Sequence, residues 1–330
     1  TRGNWNNALG VPLSMLGMCR SDSAGVFEIG MNHPGEIAPL CQIILPTWGV
    51  VTGVGPVHME FFNSVEDIAL EKAELLRSLP STGVAILDAE GPFFDLLRAA
   101  VPCRLVTVSL TREADYYCAA RSVEGNGMQA AIIERATGQR HVLQIPLPGD
   151  HHVVNTMLAL AVARGLGVEW RAIADGLRAF KPSPMRWQVV RVGAVDFIND
   201  AYNANPLSMR AALQAFRSAV VHGRRWLVLG GMLELGRIAA HAHHQLGRLA
   251  GSLPWGGIIT VGELGKLIAA GAAEAGFAHN RIFATATAQE AGDLLADRCG
   301  AGDAVLLKAS RGIRLEQVLD CYNARVRASA

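Results

Sequence analysis

Five polar side chains crowd into seven positions of the stretch Asn199-Asp200-Ala-Tyr202-Asn203-Ala-Asn205. Amides, a carboxylate and a phenol so close together can hold hydroxyls, a nucleobase edge or a metal-bound water. Val195, Phe197 and Ile198 before them are residues that pack on a pleated surface. Pro206 after them suits the first position of a helix. A polar cluster between a buried strand and a helix start is where open α/β sheets bind ligands. The same residues also suit a turn that uses Asn and Asp for left-handed backbone and capping. The stretch alone leaves both readings open.

Other residues of the same kind are dispersed. Val26–Gly30 reads as a short buried strand with Glu28 near its end, and His58 follows a strand at Val50–Val54. A carboxylate and an imidazole at one sheet edge could hold a hard divalent cation together with phosphate oxygens; a histidine satisfied within a turn is the alternative. Lys72, between Glu71 and Glu74 in the middle of a helix, reads as part of a solvated face. Arg186 is either a phosphate clamp or a surface arginine. Lys308-Ala-Ser310-Arg311 follows a buried strand, where basic residues beside a helix start suit a carboxylate or phosphate. Gly230-Gly231 also follows a strand, as a close-approach turn or a plain strand end.

The elements that must position these groups alternate. In the first half, strands are predicted at Gly83–Leu87 and Arg104–Ser109, and helices at Val65–Leu79, Pro92–Ala100, Thr156–Arg164 and Trp170–Ala179. Ser64 and Asp67 form a capping pair before the first of these helices. Residues 116–147 carry turn signals at Gly125-Asn-Gly127 and Thr137-Gly138, which predict a small antiparallel patch. Ile37–Met59 lacks Asp, Glu, Lys and Arg, but its prolines and glycines predict short strands rather than a membrane span. Lys181-Pro-Ser-Pro184 is a linker. After it the alternation restarts, with strands at 189–192, 195–198, 226–229, 258–261, 282–284 and 305–308. The pattern is α/β, with mostly parallel sheets in two Rossmann-like domains; a length of 330 residues agrees.

A formal charge of +1 with scattered basic residues argues against nucleic acid as a partner. Six dispersed cysteines without a C-x-x-C pair predict free thiols in a reducing compartment. The expectation is a cytoplasmic monomer without membrane insertion. No G-x-G-x-x-G opens a helix after a strand, which disfavours a dinucleotide oxidoreductase.

Taken together, the motifs resemble the Mur ligase family nearly end to end. Asn4-Trp-Asn-Asn-Ala-Leu-Gly-Val-Pro-Leu is similar to the loop after the family's nucleotide-binding helix. Glu28-Ile-Gly-Met-Asn-His-Pro-Gly35-Glu36-Ile37 resembles its E-x-G-x-N-x-x-G-E-I segment, and His58-Met-Glu60 with Lys72 its H-L-E segment and lysine helix. Gly149-Asp-His151-His-Val-Val-Asn155 resembles G-x-H-x-V-x-N. The opening stretch resembles D-x-Y-N-A-N-P-x-S-M, and Lys308-Ala-Ser310-Arg311 resembles K-G-S-R. Met232-Leu-Glu-Leu-Gly236 is similar to a segment distinctive of the branch that joins D-Ala-D-Ala to UDP-MurNAc-tripeptide.

The resemblance implies an ATP-dependent amide ligase that works through an acyl phosphate with Mg²⁺. It implies a central ATP-binding domain over 1–180, incomplete at its start, a linker at 181–184 and a C-terminal ligase domain over 185–330. By position it makes Glu28, His58 and Lys72 metal ligands, Lys72 as a carbamate, with Lys72 and His58 catalytic. Asn155 would meet adenine, Arg186 the phosphates and Asp200 the ribose. Asn203 and Asn205 would shape the nucleotide and dipeptide sites, and Lys308, Ser310 and Arg311 would lie near the incoming D-Ala-D-Ala.

The sequence departs from the family at several points. No G-x-x-x-x-G-K-[ST] occurs in these 330 residues, and the UDP-gripping domain is absent from them. Gly231 stands where the family usually has Asp, and Arg237 where it usually has Glu; His152 and Ala309 are milder changes. The start at Thr1 rather than Met makes a piece of a longer ligase the expectation, with a shortened relative as the alternative. Other ligases of the superfamily, and a non-catalytic nucleotide-binding protein, remain as rivals. These 330 residues alone are predicted to turn over ATP poorly, because the backbone cradle and lysine for the β/γ-phosphates are missing. Phosphate release by the purified chain checks this; vigorous ATP-dependent ligation would contradict it.

Overall fold

The computed structural model describes residues 4–328. Its elements in chain order are α1 (Gly10–Met15), α2 (Ile37–Ile44), β1 (Trp48–Val51), α3 (Val65–Arg77), β2 (Val84–Asp88), α4 (Phe94–Ala99), β3 (Arg104–Ser109), β4 (Tyr116–Glu124), β5 (Gly127–Glu134), β6 (Gln139–Ile145), α5 (Asp150–Gly165) and α6 (Trp170–Ala179). They continue with β7 (Gln188–Val192), β8 (Val195–Asn199), α7 (Pro206–Ser218), β9 (Arg225–Leu229), α8 (Ala239–Gly251), β10 (Gly257–Val261), α9 (Gly262–Glu274), β11 (Ile282–Thr285), α10 (Ala288–Arg298), β12 (Ala304–Lys308) and α11 (Gln317–Ala328). The chain forms two compact units, one of residues 4–121, 130–143 and 153–174, the other of 122–129, 144–152 and 175–328.

The first six strands form one sheet in the order β1-β2-β3-β4-β5-β6. β1, β2, β3 and the start of β4 run parallel. Gly125-Asn126 joins β4 to β5 in a two-residue turn, which only antiparallel strands allow. α3 begins at the expected capping pair: the Asp67 amide donates to Ser64 Oγ (3.0 Å) and the Ser64 amide to Asp67 Oδ2 (2.9 Å). Its Ile68, Ala69, Ala73 and Leu76 are fully buried.

Two sequence expectations fail in this unit. Residues 26–30 form no strand, and Val26 is 78% exposed. An apolar run becomes a strand only beside a neighbour with a free edge, and among the described residues none pairs with it. Residues 37–44 form α2 rather than a strand, and the strand expected at Val50–Val54 lies at Trp48–Val51. Pro39 occupies the first turn of α2, where its missing N–H needs no intrahelical partner. Leu45 ends that helix in left-handed backbone with φ 51°, and Pro46 follows.

The second sheet has the order β11-β10-β9-β12-β8-β7, parallel except for the antiparallel edge pair β7–β8. β10 and β12 are buried along their whole length, as strands covered on both faces must be. Alternate residues feed two cores. Ile198, Leu227 and Leu306 pack with Met209 and Phe216 of α7; Phe197, Val228, Val305 and Leu307 pack with Leu295 of α10 and Val318 and Tyr322 of α11.

Asp303 fastens the amino ends of the central strands. It is 4% exposed and accepts hydrogen bonds from the amides of Arg224 (2.7 Å) and Gly300 (3.0 Å), from the Trp226 indole (3.1 Å) and from the Arg224 guanidinium (3.1 Å). A Cβ on Gly223 would lie 2.5 Å from Asp303 Oδ1, so this approach needs glycine. Burial alone would raise the Asp303 pKa, but the hydrogen bonds and the Arg224 charge outweigh it and hold the carboxyl below its usual range. A carboxyl with a depressed folded pKa stabilises the fold above its unfolded pKa, and that contribution is lost as pH falls through the folded value. Asp303→Ala is expected to cost about 1–3 kcal/mol at neutral pH, chiefly for the buried Trp226 indole left without an acceptor. It should also flatten the acid limb of stability below about pH 4. Urea denaturation at several pH values checks both.

Candidate functional site

In the second unit, three loops leave the carboxyl ends of neighbouring strands. Residues 200–205 follow β8, 230–236 follow β9 and 309–311 follow β12. This is the edge where open α/β sheets bind ligands. Lys308, the last residue of β12, is 3% exposed. Its Nζ lies 2.6 Å from Asp200 Oδ2 and 3.2 Å from the Asn203 carbonyl oxygen. The other carboxylate oxygen, Oδ1, accepts the Trp187 amide at 3.1 Å. Asp200 is thus held from both sides.

Ser310 performs the corresponding task for the other loops. Its amide donates to the Gly231 carbonyl (3.0 Å), and its hydroxyl accepts from the Leu233 amide (2.9 Å) and donates to the Ala204 carbonyl (3.3 Å). His243 on α8, fully buried, steadies the 230–236 loop. Nε2 accepts the Met232 amide at 2.8 Å, so Nδ1 carries the proton facing the Ala239 carbonyl 2.6 Å away. Burial lowers the pKa of this ring, in keeping with a neutral tautomer.

Arg186 belongs to an unusual turn. Met185 and Trp187 on either side of it adopt left-handed backbone, φ 58° and 55°, at roughly 1–3 kcal/mol each for residues with side chains. The Met185 amide donates to Gln188 Oε1, and the Met185 carbonyl accepts the Tyr202 amide at 3.1 Å. The exposed Arg186 guanidinium lies 4.4 Å from the centroid of the Tyr202 ring, a cation–π contact. Arg311 is exposed, pairs with Glu316 and touches Met185 Sδ. Asn205 is the N-cap of α7: its Oδ1 accepts the Ser208 amide (2.8 Å), and its own amide donates to Ser208 Oγ (3.0 Å). Asn203 is exposed, and its Oδ1 accepts the Ala204 amide. Of the seven residues predicted for this unit, then, Lys308, Asp200, Ser310 and Asn205 are engaged in holding loops, whereas Arg186, Asn203 and Arg311 present side chains to solvent.

His151 and His152 lie in this unit too, their rings 4.0 Å apart. Burial lowers both pKa values. His152 is pushed down to about 3, helped by the charges of His151 and Lys308, while Asp200 partly offsets the shift at His151. Sequence reasoning assigned no role to His243 or Trp187, whose partners lie only four to thirteen residues away but carry no motif that marks them; His151 and His152 were named only within the G-x-H-x-V-x-N resemblance.

In the first unit, His58 and Lys72 line one cavity of about 220 Å³, with Met31, Val51, Thr52 and Val57. His58 has left-handed backbone, φ 53°, in the turn after β1. Lys72 is not on a solvated face: its Nζ reaches the Gly53 carbonyl at 2.6 Å, and burial lowers its pKa. Its neighbour Glu71 is 9% exposed and accepts the amides of Gly35 (2.8 Å) and Ile37 (2.9 Å), at the start of α2. Glu28 lies on an exposed irregular segment, not at a strand end as its sequence suggested, and accepts from Asn6 Nδ2 at 3.0 Å. Asn155 is exposed on α5. Among the described residues no group of three or more His, Cys, Asp or Glu forms a metal cage, all six cysteines are free, and no helix is long and apolar enough to cross a membrane.

Known proteins match this architecture along its length. Residues 1–163 match the Mur ligase middle domain, and 185–311 the Mur ligase glutamate ligase domain. The UDP-N-acetylmuramoyl-tripeptide–D-alanyl-D-alanine ligase of Bacillus subtilis is 34% identical over 97% of this chain and 68% of its own length. The ligase of the same name from Escherichia coli is 31% identical over 97% and 69%. Among solved structures, MurF from Acinetobacter baumannii superposes with a TM-score of 0.89 at 28% identity, over 98% of this chain and 70% of that one. MurF from Thermotoga maritima, in complex with ADP, gives 0.82 at 25% identity, over 100% and 74%. The chain therefore spans about two thirds to three quarters of the length of these relatives. With both domain families matched in order and relatives of one kind aligned across nearly every residue, the chain belongs to the Mur ligase family.

Proposed function

We propose that this chain carries the nucleotide and acceptor chemistry of an ATP-dependent ligase that joins D-Ala-D-Ala to UDP-MurNAc-tripeptide, in cytoplasmic synthesis of peptidoglycan precursors. The observation that carries the reading is the convergence of Asp200, Ser310 and Lys308 with the 230–236 loop at one sheet edge, in a chain whose relatives bear that ligase's name. Residues 1–180 act as the ATP-binding domain and 185–330 as the C-terminal domain, with 181–184 between them.

A carboxylate is a poor electrophile at neutral pH, so it must be activated. The γ-phosphoryl group of ATP passes to the terminal carboxylate of the tripeptide, giving an acyl phosphate and ADP. The amine of D-Ala-D-Ala adds to the carbonyl carbon, its nitrogen loses a proton, and phosphate departs as the amide forms. The protein's task is positioning and charge neutralisation. Arg186, splayed on Tyr202, offers its guanidinium fork to phosphate. Asn155 hydrogen-bonds the adenine edge. Asp200 keeps lone pairs for a ribose hydroxyl beyond its two fixed partners. Asn203 offers its amide NH₂, and Asn205 sets the start of α7 beneath it. Arg311 reaches toward the dipeptide's carboxylate, on a loop held by Lys308 and Ser310.

Mg²⁺ would be held in the first unit by Glu28, His58 and Lys72, of which His58 and Lys72 line one cavity. It favours a few protein ligands completed by water and phosphate oxygens; Glu28 offers a hard oxygen, His58 a nitrogen and Lys72, once carbamylated, two further oxygens. When bound, the ion neutralises phosphate charge. Lys72 suits carbamylation because only the neutral amine attacks CO₂, and its depressed pKa increases that fraction.

The experiment is a ligation panel: the protein expressed with whatever its reading frame encodes upstream of Thr1, UDP-MurNAc-tripeptide, ATP, and D-Ala-D-Ala beside D-glutamate, L-lysine and meso-diaminopimelate. Product with D-Ala-D-Ala is expected; product only with another acceptor, or none, contradicts the reading. Lys72→Ala is expected to lower ligation on the order of 100-fold, with partial recovery in added short-chain carboxylate. In the 330-residue chain, ¹³C-bicarbonate should give a carbamate resonance that Lys72→Ala removes.

A further inference from the structure

We propose that Lys308 is a positioning residue for Arg186, acting through Asp200. The connection runs unbroken through hydrogen bonds. Lys308 Nζ grips Asp200 Oδ2 at 2.6 Å, and Asp200 Oδ1 accepts the Trp187 amide at 3.1 Å. Trp187 and Met185 are the two left-handed residues that flank Arg186. The Asn203 carbonyl, which also meets Lys308 at 3.2 Å, belongs to the loop whose Tyr202 amide and ring hold Met185 and the Arg186 guanidinium. A buried ammonium thus fixes the carboxylate and loop against which a strained turn is folded. The Lys308 side chain is 4% exposed and its amine is engaged by Asp200. The strained turn persists only while its surroundings over-determine it, so the pair decides whether Arg186 stands in one place or samples many.

The proposal deepens the ligase reading, which supplies the phosphate for Arg186 to meet, but its test needs neither nucleotide nor turnover. In the 330-residue chain, Lys308→Met is expected to speed hydrogen exchange at the Trp187 amide at least tenfold. It should also speed tryptic cleavage of the Arg186–Trp187 bond at least tenfold, under conditions where cleavage follows local opening. Leu295→Ala, a buried position in the core beneath the sheet's other face, serves as a control of comparable stability loss and should leave both rates within twofold once global unfolding is subtracted. The double variant Lys308→Met/Asp200→Asn leaves no unpaired buried charge and retains an acceptor for Trp187. Its denaturation midpoint should recover while the Trp187 amide stays fast. Unchanged exchange in Lys308→Met, equal acceleration in Leu295→Ala, or restored protection in the double variant would each overturn the proposal.

Discussion

The Lys308–Asp200 ion pair is the constraint on which the candidate site depends. A buried ammonium is tolerable only with a partner and further acceptors, because desolvation otherwise outweighs any attraction. β12 lies between β9 and β8 and is covered on both faces, so Ala304 to Leu307 are apolar and the first charged side chain falls at the carboxyl edge. There it must find oxygen, and the loop after β8 supplies both a carboxylate and a carbonyl. Ser310, two residues on, ties in the loop after β9. The position of one strand end therefore sets three loops and, through Trp187, the entry from the linker.

The first unit shows the same physics with adjacent residues. Glu71 and Lys72 sit side by side on α3, yet neither is a solvated surface charge. Glu71 turns inward and is satisfied by two amides at the start of α2, which fixes the segment between Glu28 and Ile37. Lys72 enters the cavity that His58 lines and satisfies itself on a single carbonyl. The first arrangement is closed and structural. The second leaves an amine with a depressed pKa beside open volume, which is the condition for chemistry.

Much of this was legible from residue order. The βα alternation located β3 and α6 to the residue, because each is a complete apolar period bounded by its own turn signals. The capping pair at Ser64 needs only three residues of context, and it was read correctly. Val26–Gly30 was misread because strand formation depends on a neighbour that no local pattern reveals. Ile37–Ile44 escapes a local reading because Pro39 looks like a breaker yet stands in the one turn of a helix that admits it. The polar stretch after β8 was recognisable as a site, but its division into holders and presenters was not. Lys308 and Asp200 are separated by 108 residues, Ser310 and Leu233 by 77. Lys308 and Asp200, both singled out for ligand contact, hold each other, and Arg186, Asn203 and Arg311, which are exposed, carry no local mark that distinguishes them.

Activation of a carboxylate by phosphorylation is the step that gives these positions a common purpose, and isotope transfer reads it directly. UDP-MurNAc-tripeptide labelled with ¹⁸O in its terminal carboxylate would be ligated to D-Ala-D-Ala with ATP, using the protein expressed with the coding sequence upstream of Thr1. Mass spectrometry of the inorganic phosphate released would follow. The account predicts one ¹⁸O in each phosphate, carried from the carboxylate through the acyl phosphate. Phosphate without label, with ¹⁸O retained in peptide or lost to water, would contradict it.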